Sequence, residues 1–532
     1  MLIAGLNTRV ILHLLALAAC AKSEFVRELI YVSNLQYLLG IDQGSSGSRA
    51  LILDREGQVH GYGYRPLACI HPQAGWVEHD PVATVTGVAE AITEAIECTG
   101  CRPSEIAGCG IACQRNTDFA WDALTGRPLA NAISWQDLRT LPMLDKVAAW
   151  PLAGEYRRRL GYAPGPYSSA LHLAWRMQHE SAVTDSARAG RLRLGLSAAW
   201  LLTAMGSPSG HRMDYSLVQA MGLYDFRARR YWDEWLDFLN VPRGPLPEAV
   251  PTIRDFGTLE VTGPDGTTAD VPVAAMIGNE QAALFGHDCR QPGDAECNHG
   301  TASFVDVVTG DSAPDQDKIN VYFAWHLGGT PTYCLEADTT VSGAVIRWMR
   351  EKARLFDRDD EIGELAASVP DSAGVVFVPA FTGLNVPYDD RNARGTILGL
   401  TLGSSRAHIA RAFLESLGYQ VRTILDTIRT ETGLTVDRLH LSGGISASDE
   451  ACQITADQLG IPAVRPAFTE TAARAAALLA GLGVGVWADV SDLPPLPGGY
   501  TLFEPRLSAD QREANYARWK RAVECVRTWA RA

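Results

Sequence analysis

Apolar residues gather in two short runs, Tyr37-Leu38-Leu39-Gly40-Ile41 and Ala50-Leu51-Ile52-Leu53, separated by the polar stretch Asp42-Gln43-Gly44-Ser45-Ser46-Gly47-Ser48-Arg49. This spacing predicts a strand, a turn and a second strand. From Pro81 to Cys98 the apolar positions recur at helical spacing, and Ile106-Ala107-Gly108-Cys109-Gly110-Ile111-Ala112 reads as the next strand. Strands and helices keep alternating beyond it. A second apolar and glycine-rich β region, Asn298 to Gly310, opens the C-terminal half, and a third glycine-bearing stretch, Leu439 to Ser448, lies between helical segments. The pattern predicts a mixed α/β protein in two halves. Gly286, Pro292 and Gly293 break the periodicity between them, which sets the expected domains at 36–287 and 288–532.

Composition narrows the partners. The 532 residues are 46% hydrophobic and 20% charged, and no run approaches the roughly 20 apolar residues of a membrane span, so neither disorder nor a membrane partner is expected. The net charge is 47 − 61 = −14, only five of the basic residues are lysine, and no basic stripe stands ready for a phosphate backbone. Nucleic acid is not an expected partner; a homo-oligomer is compatible with the sequence. Eleven cysteines, odd in number and without a framework, read as reduced thiols of a cytoplasmic protein. Cys98, Cys101, Cys109 and Cys113 imitate zinc spacing, but two of them fall in or beside a buried strand and read as ordinary thiols. At the N-terminus, Arg9 precedes the apolar stretch Val10–Ala19, and Leu17-Ala18-Ala19-Cys20 resembles a lipoprotein cleavage box. His13 interrupts that stretch, and residues 1–35 are expected to be a leader or extension outside the fold.

The turn at 42–49 carries the first chemistry. Its glycines and serines let backbone N–H groups and hydroxyls face a polyanion without Cβ interference. The usual nucleotide loops are absent: no lysine follows a glycine, and no strand leads into a convincing G-x-G-x-x-G.

Five segments, in order, resemble the FGGY carbohydrate kinases, and glycerol kinase above all: Gly40-Ile41-Asp42-Gln43-Gly44-Ser45-Ser46, Gly75-Trp76-Val77-Glu78-His79-Asp80-Pro81, Asn131-Ala132-Ile133-Ser134-Trp135-Gln136-Asp137, Gln281-Ala282-Ala283-Leu284-Phe285-Gly286 and Val378-Pro379-Ala380-Phe381-Thr382-Gly383-Leu384. The resemblance implies two actin-like, ribonuclease-H-like domains with ATP, Mg²⁺ and a polyol meeting between them. It places Asp42 near Mg²⁺, Ser45, Ser46, Gly47 and Arg49 at the nucleotide phosphates, and Gly300 and Thr301 in a second phosphate hairpin where Ala302 replaces a usual glycine. Gly343, Arg347, Gly444 and Ser448 fall where the rest of the nucleotide is held, with Arg347 in place of Gln and Ser448 in place of Asn. Ala473-Arg474 is expected to interrupt a helix start where the family has Leu-Gly, reshaping the adenosine pocket.

On the acceptor side Arg115, Trp135, Tyr167 and Phe304 match the residues that hold the polyol. Three positions depart: Asn116 stands for a Glu, Asn279 for the Asp that serves as base, and Glu280 for a Gln. An amide hydrogen-bonds a hydroxyl but cannot accept its proton at neutral pH. Asp118 could return one carboxylate and Glu280 another. The resulting expectation is ATP-dependent phosphorylation of a small polyol or sugar at an altered acceptor site, with positions 279 and 280 carrying the catalysis and Glu280 or a water replacing the base. The alternative is a catalytically impaired nucleotide-binding paralogue acting as a regulatory or binding module; a filament or chaperone relative and an exported lipoprotein fit less of the sequence.

Overall fold

The structure, a computed structural model, describes residues 36–531. The expected leader, with its Cys20, lies outside them. The chain opens with β1 (Tyr37–Gln43), β2 (Gly47–Asp54) and β3 (Val59–Pro66), a meander whose first two strands pair antiparallel with Asp42 opposite Arg49. Helix α1 (Pro81–Thr99) follows. Asp80 caps it, its Oδ1 accepting from the Val82 N–H at 2.7 Å, Pro81 fills the first position, and Gly100 closes it at φ 71°. It leads into β4 (Ile106–Cys113), which lies parallel to β1 and is buried along its whole length. Burial pushes the Cys113 thiol up to about 12 and holds Cys109 well above the thiol range, whereas Cys98 is exposed on α1.

After β5 (Asp118–Asp122) and α2 (Ser169–His179), the first sheet is completed by β6 (Gly206–Pro208), β7 (Ile253–Thr262) and β8 (Thr268–Gly278), in the order β3-β2-β1-β4-β8-β7-β6. The short helix α3 (Asn279–Gly286) leaves the end of β8. A second seven-stranded sheet then forms from β9 (Ala295–His299), β10 (Ser303–Gly310), β11 (Asn320–Trp325), β12 (Thr332–Asp338), β13 (Leu439–Ser442), β14 (Ala463–Pro466) and β15 (Tyr500–Phe503). Its order is β11-β12-β10-β9-β13-β14-β15. Helices α4 (Gly343–Glu351), α5 (Arg406–Thr432), α6 (Asp449–Leu459) and α7 (Thr471–Gly483) connect and cover these strands, and α8 (Ala509–Arg531) ends the chain.

The two sheets repeat one plan. In each, three antiparallel strands (β3-β2-β1, then β12-β10-β9) are extended by two strands parallel to the first (β4-β8, then β13-β14). This is the actin-like, ribonuclease-H-like arrangement, used twice. No helix among the described residues is long and apolar enough to cross a membrane.

The alanine-rich α7 is buried between the halves, and the first sheet must be flat beneath it. Gly40 of β1 and Gly110 of β4 face each other across the parallel pair, and a Cβ at either would stand 1.9 Å from the carbonyl oxygen of Ala473 or Ala476. Backbone cannot yield as a side-chain tip can. Gly40→Ala or Gly110→Ala is therefore expected to destabilise the protein by about 1–3 kcal/mol through overpacking, read as a lowered denaturant midpoint with unchanged slope.

Ala473-Arg474 does not interrupt this helix. Both residues are fully buried inside its first turns, and the Arg474 guanidinium donates to the Gly286 carbonyl at 3.2 Å and the Pro494 carbonyl at 2.6 Å. An arginine supplied with two carbonyls fits an apolar helix that would otherwise reject it.

Candidate active site

Asp42 is the next-to-last residue of β1, just before the turn that Gly44 N–H closes onto the Gly47 carbonyl at 2.9 Å. It is 8% exposed, and burial pushes its carboxyl up to about 6 against the pull of Arg49, whose Nη1 lies 3.5 Å from Oδ2. Oδ1 has no hydrogen-bond partner. A buried carboxylate oxygen left unpaired beside a turn of small residues is suited to a cation ligand. Gly47 permits the close approach of β3, since a Cβ there would stand 2.5 Å from the Arg65 carbonyl. Ser46 is exposed at the tip. Arg49 also meets Glu470, Nε to Oε2 at 2.9 Å, at the start of α7. Sequence reasoning missed Glu470, although an acid immediately before a helix is a recognisable signal.

Ser45 joins this turn to the acceptor side. Its hydroxyl donates to Gln114 Oε1 at 2.8 Å and accepts from Trp135 Nε1 at 2.7 Å.

On the second sheet the β9–β10 hairpin carries Gly300 and Thr301. Gly343 N–H donates to the Gly300 carbonyl at 3.0 Å and Ser342 N–H to the Thr301 carbonyl at 2.8 Å, so the start of α4 docks on this hairpin. Gly443, at φ 82°, abuts His299 from the other side and brings Gly444 to the same corner. Arg347 lies one turn along α4 and is exposed, while Ser448 caps α6 by accepting the Ala451 N–H at 3.3 Å.

Arg115 and Asn116 follow β4. Arg115 pairs with Glu336 of β12, Nη2 to Oε2 at 2.5 Å, and stacks over the Tyr322 ring at 4.8 Å, which leaves its buried Nη1 unpartnered. Asn116 adopts the left-handed conformation at φ 58°, which Asn tolerates better than Glu, and its Oδ1 accepts the Ser169 N–H at 3.3 Å in the first turn of α2. The left-handed backbone is a local reason for Asn here. Tyr167 donates its hydroxyl to the Ala163 carbonyl at 3.0 Å, and Phe304 on β10 stands opposite Asp338 of β12.

Asp118 does not return a carboxylate to the site. It is fully buried on β5, where it accepts from His172 Nδ1 at 2.9 Å and Arg176 Nε at 2.6 Å. Its charge is spent inside the N-terminal half.

Glu280 is placed differently. It is the second residue of α3, partly open, and accepts from the Asn279 amide at 3.0 Å. Burial, with Glu336, Glu296 and Asp42 nearby, pushes its carboxyl up to about 7, while Arg115 pulls the other way. Of the two residues expected at this helix start, one is an amide donor and the other a carboxyl poised at neutral pH. Sequence reasoning missed Glu336 and Asp306, acids embedded in apolar strands. Among the described residues no group of three or more His, Cys, Asp and Glu is arranged to hold a metal ion.

Residues 37–286 match the N-terminal domain of the FGGY family of carbohydrate kinases, and residues 295–484 match its C-terminal domain. The chain is 40% identical over 501 residues to a glycerol kinase of Symbiobacterium thermophilum, covering 93% of this chain and 99% of that protein. It is 36% identical to glycerol kinase 2 of Thermotoga maritima, over 93% and 99%. Among solved structures, Plasmodium falciparum glycerol kinase with ADP superposes at a TM-score of 0.85 and 25% identity, over 92% of this chain and 98% of that one. Xylulose kinase of Rhodospirillum rubrum shares the fold at a TM-score of 0.82. With both domain models matched and near-complete relatives at this identity, the chain belongs to the FGGY family of carbohydrate kinases and is an ATP-dependent kinase of a polyol or sugar.

Proposed function

We propose that this kinase works with a rearranged acceptor site in which Glu280, rather than the residue at 279, takes the proton from the attacking hydroxyl. The observation that carries the reading is the Asn279–Glu280 pair. The amide at 279 cannot act as a base, but it donates to a carboxyl whose surroundings hold it near neutrality, the value that suits a general base at physiological pH.

The other residues take positioning roles. The free Nη1 of Arg115 is a donor for an acceptor oxygen, Trp135 and Phe304 supply apolar faces, and Asn116 and Tyr167 complete the wall. Ser45, held by Trp135 and Gln114, would fix the phosphate turn relative to the acceptor, so that attack distance is set by one hydroxyl. Gly300, Thr301, Gly343 and Gly444 would receive the nucleotide from the second sheet. Mg²⁺ fits Asp42 Oδ1: the protein offers a single unpaired carboxylate there, which is typical of a Mg²⁺ site completed by phosphates and water. When bound it would neutralise phosphate charge. Such chemistry belongs in the ATP-rich cytoplasm.

An ADP-release assay with glycerol, longer polyols and ketoses, run on the protein and on Glu280→Gln, tests the reading. Turnover of at least one acceptor that Glu280→Gln abolishes supports it. Full activity in Glu280→Gln contradicts it, and failure of the whole panel in calorimetrically ATP-competent protein would favour the non-catalytic alternative.

A further inference from the structure

Beneath α3 the second sheet carries a row of acids. Glu296 of β9 faces Asp306 of β10, and Asp306 faces Glu336 of β12, as paired residues of antiparallel strands. Paired side chains share one face with Cβ atoms about 4.5–5.5 Å apart. All three are buried, at 2%, 3% and 4% exposure.

Their partners are unequal. Glu336 has Arg115, and Glu296 has the Ser442 hydroxyl at 2.7 Å and His287 Nε2 at 3.2 Å. Among the described residues no cation lies within ion-pair distance of Asp306. Asp306 Oδ1 and Glu296 Oε2 lack a hydrogen-bond partner, and Glu336 Oε2 has only its ion pair with Arg115. Three ionised neighbours with one arginine would leave like charges uncompensated in a dry interior. A proton on Asp306 removes one charge and supplies a donor for a neighbouring carboxylate oxygen.

We propose that Asp306 is held protonated and donates to Glu336, and that Glu336, so fixed, is a positioning residue that holds Arg115 for the acceptor. The proposal rests on the assignment of Arg115 to the acceptor given above. Glu336 grips the guanidinium from the second sheet, whereas Arg115 grows from the first, so the pair also ties the two halves together at the acceptor. The groups facing Asp306 are Glu336 and Cys334 from β12, Glu296 from β9, Glu280 from α3, and Arg115 beyond β4, while Cys297 of β9 lies on the opposite face beside it. Their burial and negative charges raise the Asp306 carboxyl well above its usual range.

A carboxyl whose folded pKa is raised binds its proton more tightly when folded, so stability falls as pH rises between the unfolded and folded values. Asp306→Asn keeps the donor and removes the titration. Its melting temperature relative to the unmodified protein should rise as pH is raised from about 4 to about 8. A difference that does not change with pH overturns the proposal, whether or not any acceptor is turned over.

Kinetics with glycerol, or D-xylulose if glycerol is not used, supply the second arm. Glu336→Gln should raise the acceptor KM about 10–100-fold with the ATP KM unchanged, Glu336→Asp should recover part of it, and Asp306→Asn should match the unmodified protein. An unchanged acceptor KM in Glu336→Gln, or a loss in Asp306→Asn as large as in Glu336→Gln, overturns the positioning role. Activity that survives Glu280→Gln would count against the base assignment alone and leave these outcomes readable.

Discussion

Glu280→Gln is expected to lower kcat by about 10²–10⁴-fold while ATP affinity, measured by calorimetry, stays as it is. Gln preserves the shape of the side chain and can still accept the Asn279 amide hydrogen bond, so the loss isolates proton acceptance. Asn279→Asp gives the sharper contrast. If Glu280 is the base, a carboxylate at 279 stands within contact of it and the two share one proton, which moves the acid limb of the rate profile to higher pH. Faster turnover with an acid limb in the ordinary carboxylate range would place the base at 279 instead.

Asp42→Asn carries the second large effect. The carboxylate is the one buried acid at the phosphate turn with an oxygen free for a cation, and the amide retains its size while removing the charge. Phosphoryl transfer depends on neutralising charge at the moving group, so kcat should fall by about 10²–10³-fold at saturating ATP. Added Mg²⁺ should restore only part of the loss. Relative to the unmodified protein, which loses stability as the raised Asp42 carboxyl ionises, Asp42→Asn should gain stability as pH rises from the ordinary carboxylate range to about 6 and hold that gain above it. An unchanged kcat would show that Asp42 serves only Arg49.

The sequence made some of this legible and hid the rest for physical reasons. The strand, turn and strand at 37–54 could be read because apolar runs and a Gly-Ser turn are local signals, and the doubled actin-like plan followed from ordered motifs. Partners distant in sequence could not. Asp118 looks available two residues past Asn116, yet Arg176, 58 residues on, claims it in the interior. Arg474 looks like a break in an alanine-rich helix, but the carbonyl it needs is Gly286's, 188 residues away. Asp306 in Val305-Asp306-Val307-Val308 reads as a stray acid in a strand. Only the cross-strand register, which puts Glu296 and Glu336 on either side, turns it into a buried row. Asn116 shows the reverse case: its residue type departs from the family, and its left-handed backbone supplies a local reason.

A catalytic carboxyl held near neutrality at position 280 shows itself in the pH dependence of kcat for the best acceptor. Base catalysis requires the ionised form, so kcat should rise with unit slope below a midpoint at about 7 and level above it. A profile already level from about pH 5 upward, the behaviour of a carboxylate with its ordinary value, would contradict it.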